Sequence, residues 1–363
     1  MYCPVVSEDI QKIKKILNLI GTPFNIPQEI EVDHFGCVEL YNIAKKNKIG
    51  LLFLESLSRS HSLPKELIDE LNKQREIHKV LQVTASRVAD ILHAVKYKYA
   101  IIKSNYPFPA VPNDVDVLIF GNGKEYTNVI DLMKSCNFQL VGNEAPLEAC
   151  LHDSSRSPQH QPTSYSSAVK DPFDVDFYKE VGAGHIIYMD KGKLTEKILK
   201  TTINGVTLNV LRLPAEVALS IFHSIYPERL YTLLLHFHIL YMIKNMSSAD
   251  MNEFLEICFE HKMSNAANLA LNLTQIIQEI CFGQSPLELI SLREGLGKNR
   301  TQIKLIKLPY LYSIQNILDV FWGKKMDLVF TISVIRQLMS MLNPKYSLSV
   351  INVHKARSKR DTY

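Results

Sequence analysis

The stretch Val111-Pro-Asn-Asp-Val-Asp-Val-Leu-Ile-Phe120 constrains this chain more than any other. Pro112 and Asn113 favour an irregular, non-helical lead-in. From Asp114 the residues alternate, with Asp114 and Asp116 to one side and Val115 and Val117 to the other. Successive strand residues point to opposite faces, so a strand here presents both carboxylates on one face, about 7 Å apart along the chain. Two like charges so placed repel each other unless something cationic sits between them. Hard divalent cations such as Mg²⁺ take carboxylate oxygens and relieve the repulsion. Alone, Asp-x-Asp is equally compatible with a solvated strand end whose acids face water. A second copy tips the balance. Phe173-Asp-Val-Asp-Phe-Tyr-Lys-Glu-Val181 is again strand-like, with Val175 and Phe177 on one face and Asp174 and Asp176 on the other. Two such strands lying side by side would complete a three-carboxylate cradle.

The surroundings place these strands in an α+β chain. Residues 1–99 read as an N-terminal helical region. Ile10, Ile13, Ile16, Leu17 and Ile20 recur at helical spacing after Ser7-Glu8-Asp9, a second helical stretch runs from Asp33 to Ser58, and a long third one starts at Pro64. Residues 100–212 form an α/β core. It comprises a short apolar strand at Tyr99–Lys103, the Asp114–Phe120 strand, a helix over Lys124–Ser135 and a strand at Phe138–Gly142. The second acidic strand, a helix around Leu194–Leu199 and a last strand at Val206–Leu211 complete the core. His152–Pro172, rich in Ser and Pro, has no period and reads as a long loop, either a flap over the site or, preferred, a tolerated surface insertion. His152 and His160 lack ligand spacing and read as surface histidines. Residues 213–346 form a C-terminal helical bundle opened by Pro214 and Glu216, with helical runs that include 301–321 and 326–342. A basic tail over 347–363 reads as solvated.

Composition serves to exclude. Lys plus Arg exceeds Asp plus Glu by a net +4, which permits nucleic-acid binding without arguing for it. No dense basic stripe interleaved with aromatics marks an RNA reader. Among the six cysteines no pair is close enough for structural zinc, so reduced and mostly buried thiols are expected. Glu8, Asp9, Lys12, Lys14 and Lys15 stand where an export signal would be apolar. The apolar run Leu230–Ile243 contains His236 and His238 and is too short to span a bilayer, so a cytoplasmic protein without membrane contact is expected.

On these residues the stretch 33–245 resembles the uncharacterised nucleotidyltransferase family of the polymerase-β-like superfamily. Ile101-Ile-Lys103-Ser104 is similar to the family's apolar strand and turn, and Asp114-Val-Asp116-Val to its paired acids. Asp176 in Val175-Asp-Phe-Tyr matches the third acid, and Leu211-Arg-Leu-Pro-Ala-Glu216 the opening of the following helix. The resemblance implies a nucleotidyltransferase-type mixed sheet flanked by the N-terminal helices and the C-terminal bundle. It further implies two Mg²⁺ ions on Asp114, Asp116 and Asp176 as catalytic and metal-binding residues, with Asp174 as a substitute for Asp176. Lys103 and Ser104 would bind the nucleotide phosphates, although Lys103 could also point outward from its strand. The implied reaction moves an NMP from an NTP, ATP first, to a hydroxyl acceptor with release of pyrophosphate. A small molecule or protein acceptor ranks ahead of RNA.

Three rivals share the Asp-x-Asp feature. A haloacid-dehalogenase-type phosphatase would place its first Asp directly after a buried apolar strand, and here a Pro-rich loop intervenes. A metal-dependent glycosyltransferase would open with a nucleotide-binding sheet in place of a helical region. The third is a catalytically degenerate transferase fold kept as an antitoxin-like binding module. It draws on Ala110-Val-Pro-Asn113, which stands where the family carries an Arg-Pro-Met-Gly-like approach.

Overall fold

The computed structural model describes residues 5–6, 10–28, 30, 32–60, 62–104, 106–141, 145–156, 172–203, 205–297, 303 and 305–348. Ser7-Glu8-Asp9, His160, most of the 152–172 loop and the basic tail beyond Leu348 lie outside them. After the two-residue β1 (Val5–Val6) come α1 (Ile10–Ile20), α2 (His34–Lys46), α3 (Gly50–Arg59) and the long α4 (Ile68–Ala94). The central part runs β2 (Tyr99–Ile102), β3 (Val115–Ile119), α5 (Gly123–Ser135), β4 (Phe138–Leu140), β5 (Glu148–Asp153) and β6 (Asp174–Tyr178). Two hairpins follow, β7 (Val181–Ala183) with β8 (Ile186–Met189), then, after the short α6 (Lys191–Leu194), β9 (Ile198–Ile203) with β10 (Val206–Leu211). The remainder is α7 (Leu213–Ile225), β11 (Leu230–Tyr231), α8 (Leu233–Asn245), α9 (Ser248–Glu260), α10 (Ser264–Phe282) and α11 (Leu287–Gly295). Last come β12 (Leu305–Ile306), β13 (Tyr310–Leu311), α12 (Ile314–Gly323) and α13 (Leu328–Met341). The fold is α+β, and no helix among the described residues is long and apolar enough to cross a membrane.

Local chemistry sets several element ends. Asp33 caps α2 by accepting the Gly36 N–H at 2.7 Å. Asn122 and Glu125 form a reciprocal capping box at the start of α5, satisfying two amides that the helix cannot. Pro214 sits in the first turn of α7, where its missing N–H costs no helical bond. Gly283 ends α10 in a left-handed conformation that a side chain would strain.

Seven strands form one mixed sheet in the order β4-β5-β6-β3-β2-β10-β9. The β3–β6 and β2–β10 pairs are parallel and the rest antiparallel. Both central strands, β3 and β6, are buried along their whole length. Their apolar parity (Val115, Val117, Ile119, Val175, Phe177) packs with Val88 and Leu92 of α4 and Val129 of α5. The opposite parity, which includes Leu118 and Tyr178, faces a larger core shared by Ile13, Phe53, Phe222, Leu240 and Leu273 from helices at both ends of the chain. The sheet is therefore covered on both faces, and the acidic side chains lie on the face turned towards the helical mass.

Three expectations need correction. Residues 301–321 are not one helix: Leu305–Ile306 and Tyr310–Leu311 are short strands, and α12 begins only at Ile314. Pro309, which cannot donate to a helical ladder, interrupts the run. The helical turns after Lys191 end at Lys197, and Ile198–Ile203, four of whose six residues are β-branched, joins the sheet beside β10. The long loop does not start at His152, because His152 and Asp153 complete β5, which pairs with β6.

Strand β5 is anchored to α4. The Arg87 guanidinium pairs with Asp153, whose side chain is fully buried, and also donates to the Cys136 carbonyl at 2.6 Å. Losing one partner of such a pair leaves a buried charge without its counterion. Arg87→Met is expected to lower the unfolding free energy in a urea titration by about 3 kcal/mol. A change within experimental error would show that the pair contributes nothing.

Candidate metal centre

Asp114 ends the loop into β3, Asp116 is the second residue of that strand, and Asp176 lies in β6. Parallel pairing sets Val115 beside Val175 and Asp116 beside Asp176. The two Asp-x-Asp stretches are thus in register, and their acids share one face. One carboxylate oxygen from each of Asp114, Asp116 and Asp176 lies within 4.8 Å of the others. All three residues are buried, Asp176 to 2% exposure. A solvated strand end is not what this is.

Asp174 has a different neighbour. Its Oδ1 lies 2.9 Å from Nδ1 of His152, directly across from it on β5. His152 is 1% exposed, so the expectation of a surface histidine is overturned. A histidine this deep needs a polar partner, and the in-register Asp174 supplies one. Asp176, not Asp174, is the residue of β6 that joins Asp114 and Asp116.

Lys103 turns towards the acids. Strand alternation would send it to the α4 side with Ile101. Its backbone adopts φ +52°, a left-handed conformation that a side-chain-bearing residue takes only when neighbours enforce it. The result places Nζ 3.3 Å from Asp116 Oδ1 and 4.6 Å from the Tyr178 ring centroid. Nζ is also 3.4 Å from both ring nitrogens of His223. Ser104 braces the same turn: its hydroxyl accepts the Asp116 N–H at 2.9 Å and lies 3.0 Å from the Ile102 carbonyl. The hydroxyl thereby fixes the start of β3.

Glu216, in the first turn of α7, accepts the Lys103 backbone N–H on Oε1 at 2.7 Å, while its Oε2 is buried without a hydrogen bond. Burial pushes its carboxyl up to about 7, with Asp116 adding to the rise and the Lys103 contacts opposing it. Two turns further along the same face of α7, His223 touches the Tyr188 hydroxyl through Nδ1 at 2.9 Å. Burial, with help from the Lys103 ammonium, holds its imidazole down at about 4, so it is neutral at pH 7 and can accept from Lys103. Burial and the nearby carboxylates, Asp116 foremost, keep the Tyr178 phenol protonated.

Tyr178, Glu216 and His223 were not singled out as site residues from the sequence. Tyr178 shares the parity of Asp174 and Asp176 and was legible. Glu216 and His223 are seven residues apart on a helix, hence on one face, but nothing local says which neighbour that face meets.

No family model matches the chain, and no curated protein matches it either. The site must be read from its own chemistry. Its donor set consists of carboxylate oxygens alone, the set that suits Mg²⁺, Mn²⁺ or Ca²⁺ and not a thiolate- or imidazole-seeking ion. Asp114, Asp116 and Asp176 fit a hard divalent cation in type and proximity.

A carboxyl whose folded pKa exceeds its unfolded value binds its proton more tightly when folded. The stability from Glu216 is therefore complete below its ordinary value of 4.5 and is lost as pH rises through about 7. In chelator-containing buffer, Glu216 is expected to make the unfolding free energy decline by roughly 3 kcal/mol across that window. Glu216→Gln keeps an acceptor for the Lys103 N–H and carries no charge, so its stability should decline less. Equal slopes for the two proteins in urea titrations from pH 4.5 to 8 would show that Glu216 does not titrate in this way.

Proposed function

We propose that this chain is a metal-dependent nucleotidyltransferase of polymerase-β-like architecture, moving an NMP from an NTP to a hydroxyl acceptor. The observation that carries the proposal is the convergence of Asp114, Asp116 and Asp176 from two in-register strands onto one spot. A mixed sheet with a buried acidic face, a lysine at its rim and helices on both sides supports the same reading.

Asp114 and Asp116 would hold a divalent ion with the triphosphate, and Asp176 would share in a second. When bound, such ions neutralise phosphate charge and stabilise both the attacking and the leaving oxygen of a displacement at phosphorus. The chain's own residues then have separable duties. Ser104 fixes the approach of Asp114 and Asp116 through the Asp116 N–H. Lys103, whose Nζ lies 3.3 Å from Asp116 Oδ1, is a compact positive charge that would serve a phosphate oxygen. Neutral His223 and the Tyr178 ring line the ammonium's present position and restrict where it can move. Glu216 holds the Lys103 backbone, and with it the origin of the side chain. ATP is the nucleotide proposed first, and a small-molecule or protein hydroxyl ranks ahead of an RNA end as acceptor. Labelling of an RNA end in preference to other acceptors would reverse that order.

The Lys103–Asp116 contact also favours a second reading. An ammonium 3.3 Å from a cradle carboxylate can act as an internal counterion in place of a metal, leaving a transferase fold that serves as a binding module. The two readings separate cleanly. Titration calorimetry with Mg²⁺ and a non-hydrolysable NTP should show metal-dependent nucleotide binding that Asp114→Asn and Asp116→Asn each weaken by on the order of 100-fold or more. Lys103→Met should weaken nucleotide binding on the order of 10-fold if Lys103 serves phosphate. No metal-dependent nucleotide heat in the wild type, with Lys103→Met gaining Mg²⁺ affinity, would favour the counterion reading.

A further inference from the structure

The loop over residues 106–112 walls a cavity of about 510 Å³ against α4. The cavity floor is the face of the sheet turned away from the acids. It is made by Val115, Ile101 and Leu208, from the neighbouring strands β3, β2 and β10. Val115 stands between Asp114 and Asp116 in sequence and points to the opposite face. Of the residues that build the acidic site, only Ser104 also lines this cavity. Pro107, Pro109 and Pro112 restrict the loop backbone, and Phe108 anchors it against Tyr241 and Phe237 at ring distances of 5.0 and 6.0 Å. The loop wall is preformed.

The facing wall is a ridge of α4 formed by His78, Gln82 and Ser86, each one turn from the next. Hydrogen bonding fixes what this ridge offers. His78 Nδ1 lies 2.7 Å from the Ala110 carbonyl, which can only accept, so Nδ1 carries a proton. In the neutral ring Nε2 is then an acceptor, and it meets Gln82 Nε2 at 2.8 Å. The Gln82 carboxamide is thereby held with its nitrogen towards His78. Its Oε1 makes no hydrogen bond among the described residues, and neither does the Ser86 hydroxyl. No carboxylate lines the cavity, and its one lysine, Lys79, is exposed.

We infer that this cavity binds a flat, neutral heteroaromatic molecule through an edge N–H that Gln82 Oε1 accepts. Apolar walls with a few fixed polar atoms, in a space of this size, are the make-up of a small-molecule site. A cation would enter without a counterion, which makes its burial costly. A plain hydrocarbon would cover Gln82 Oε1 and leave it without a partner. A ring system with an N–H avoids both penalties, and its faces suit the proline rings on one side and the helix ridge on the other. The inference does not depend on the acids holding a metal, because the cavity lies on the reverse face of the sheet from them.

The test uses the full chain at pH 8 in EDTA, with benzimidazole as the probe. Its N-methyl derivative, which has the same rings and no N–H, is the control. Saturation-transfer NMR titrations of the wild type are expected to show benzimidazole binding about 10-fold more tightly than the N-methyl compound. Gln82→Leu keeps the size of the side chain and removes the acceptor, so it should bind the two probes alike. Ser86→Phe fills the cavity from the same ridge and should remove binding of both while the thermal melt is kept. Should that variant fail to fold, the two probes on the wild type and on Gln82→Leu carry the test alone. No saturable benzimidazole binding to the wild type overturns the inference, as do equal affinities for the two probes or a preference that survives Gln82→Leu. Displacement of bound benzimidazole by Mg²⁺ with a non-hydrolysable NTP, in a parallel sample without EDTA, would also overturn it by making the cavity part of the triphosphate site.

Discussion

Three carboxylates held within 4.8 Å of one another are the constraint that the rest of this structure answers to. At that separation and an effective dielectric of about 20, each ionised pair repels by about 3 kcal/mol. Such a cluster does not form by itself. Here it is imposed by strand register, because parallel pairing of β3 with β6 leaves Asp116 and Asp176 no choice but to be neighbours. The register is in turn held by the apolar parity of the same strands, packed against α4 and α5. A one-residue slip would exchange the buried valines and the acids between faces. Hydrophobic burial on one side of the sheet thus supplies the free energy that keeps like charges together on the other.

Lys103 is the second consequence. An ammonium on the acidic face reduces the local repulsion, but strand alternation points that position the wrong way. The left-handed backbone at φ +52° solves the geometry at a local conformational cost. Glu216 accepts the strained residue's N–H, and the first turn of a helix is where the backbone dipole favours an acidic side chain. The turn after β2, the opening of β3, the middle of β6 and the first turns of α7 are therefore one unit, though they come from four separate parts of the chain.

Much of this was legible in the sequence, and the limit of legibility is physical. Period-two alternation puts Asp114 with Asp116 and Asp174 with Asp176, and helical periodicity finds α1, α4 and the helices from α7 to α10, because both depend only on neighbours along the chain. Which Asp of the second pair joins the first depends on sheet register and on what sits across the strand. His152 decides the matter by meeting Asp174, and β5 carried no clear pattern of its own. The same holds for Glu216 and His223: their common face follows from spacing, while what they touch is set by how α7 docks on the sheet. The 301–321 stretch failed for the opposite reason. Its apolar content suggests a helix, yet Pro309 and the pairing of β13 with β11 override it.

Helix α13 shows how a correct local reading can hide a global one. Its apolar periodicity identifies a helix, and the natural assumption is that the apolar face points inward. The structure turns the polar face instead towards the β7–β8 hairpin, where Ser333 and Gln337 accept the Ile187 N–H of β8 and the His185 N–H of the turn before it. That choice has a consequence for the site. Tyr188, in β8, holds His223, and His223 lies against the Lys103 ammonium. The strand that α13 covers therefore also carries the hydroxyl that meets the site's histidine.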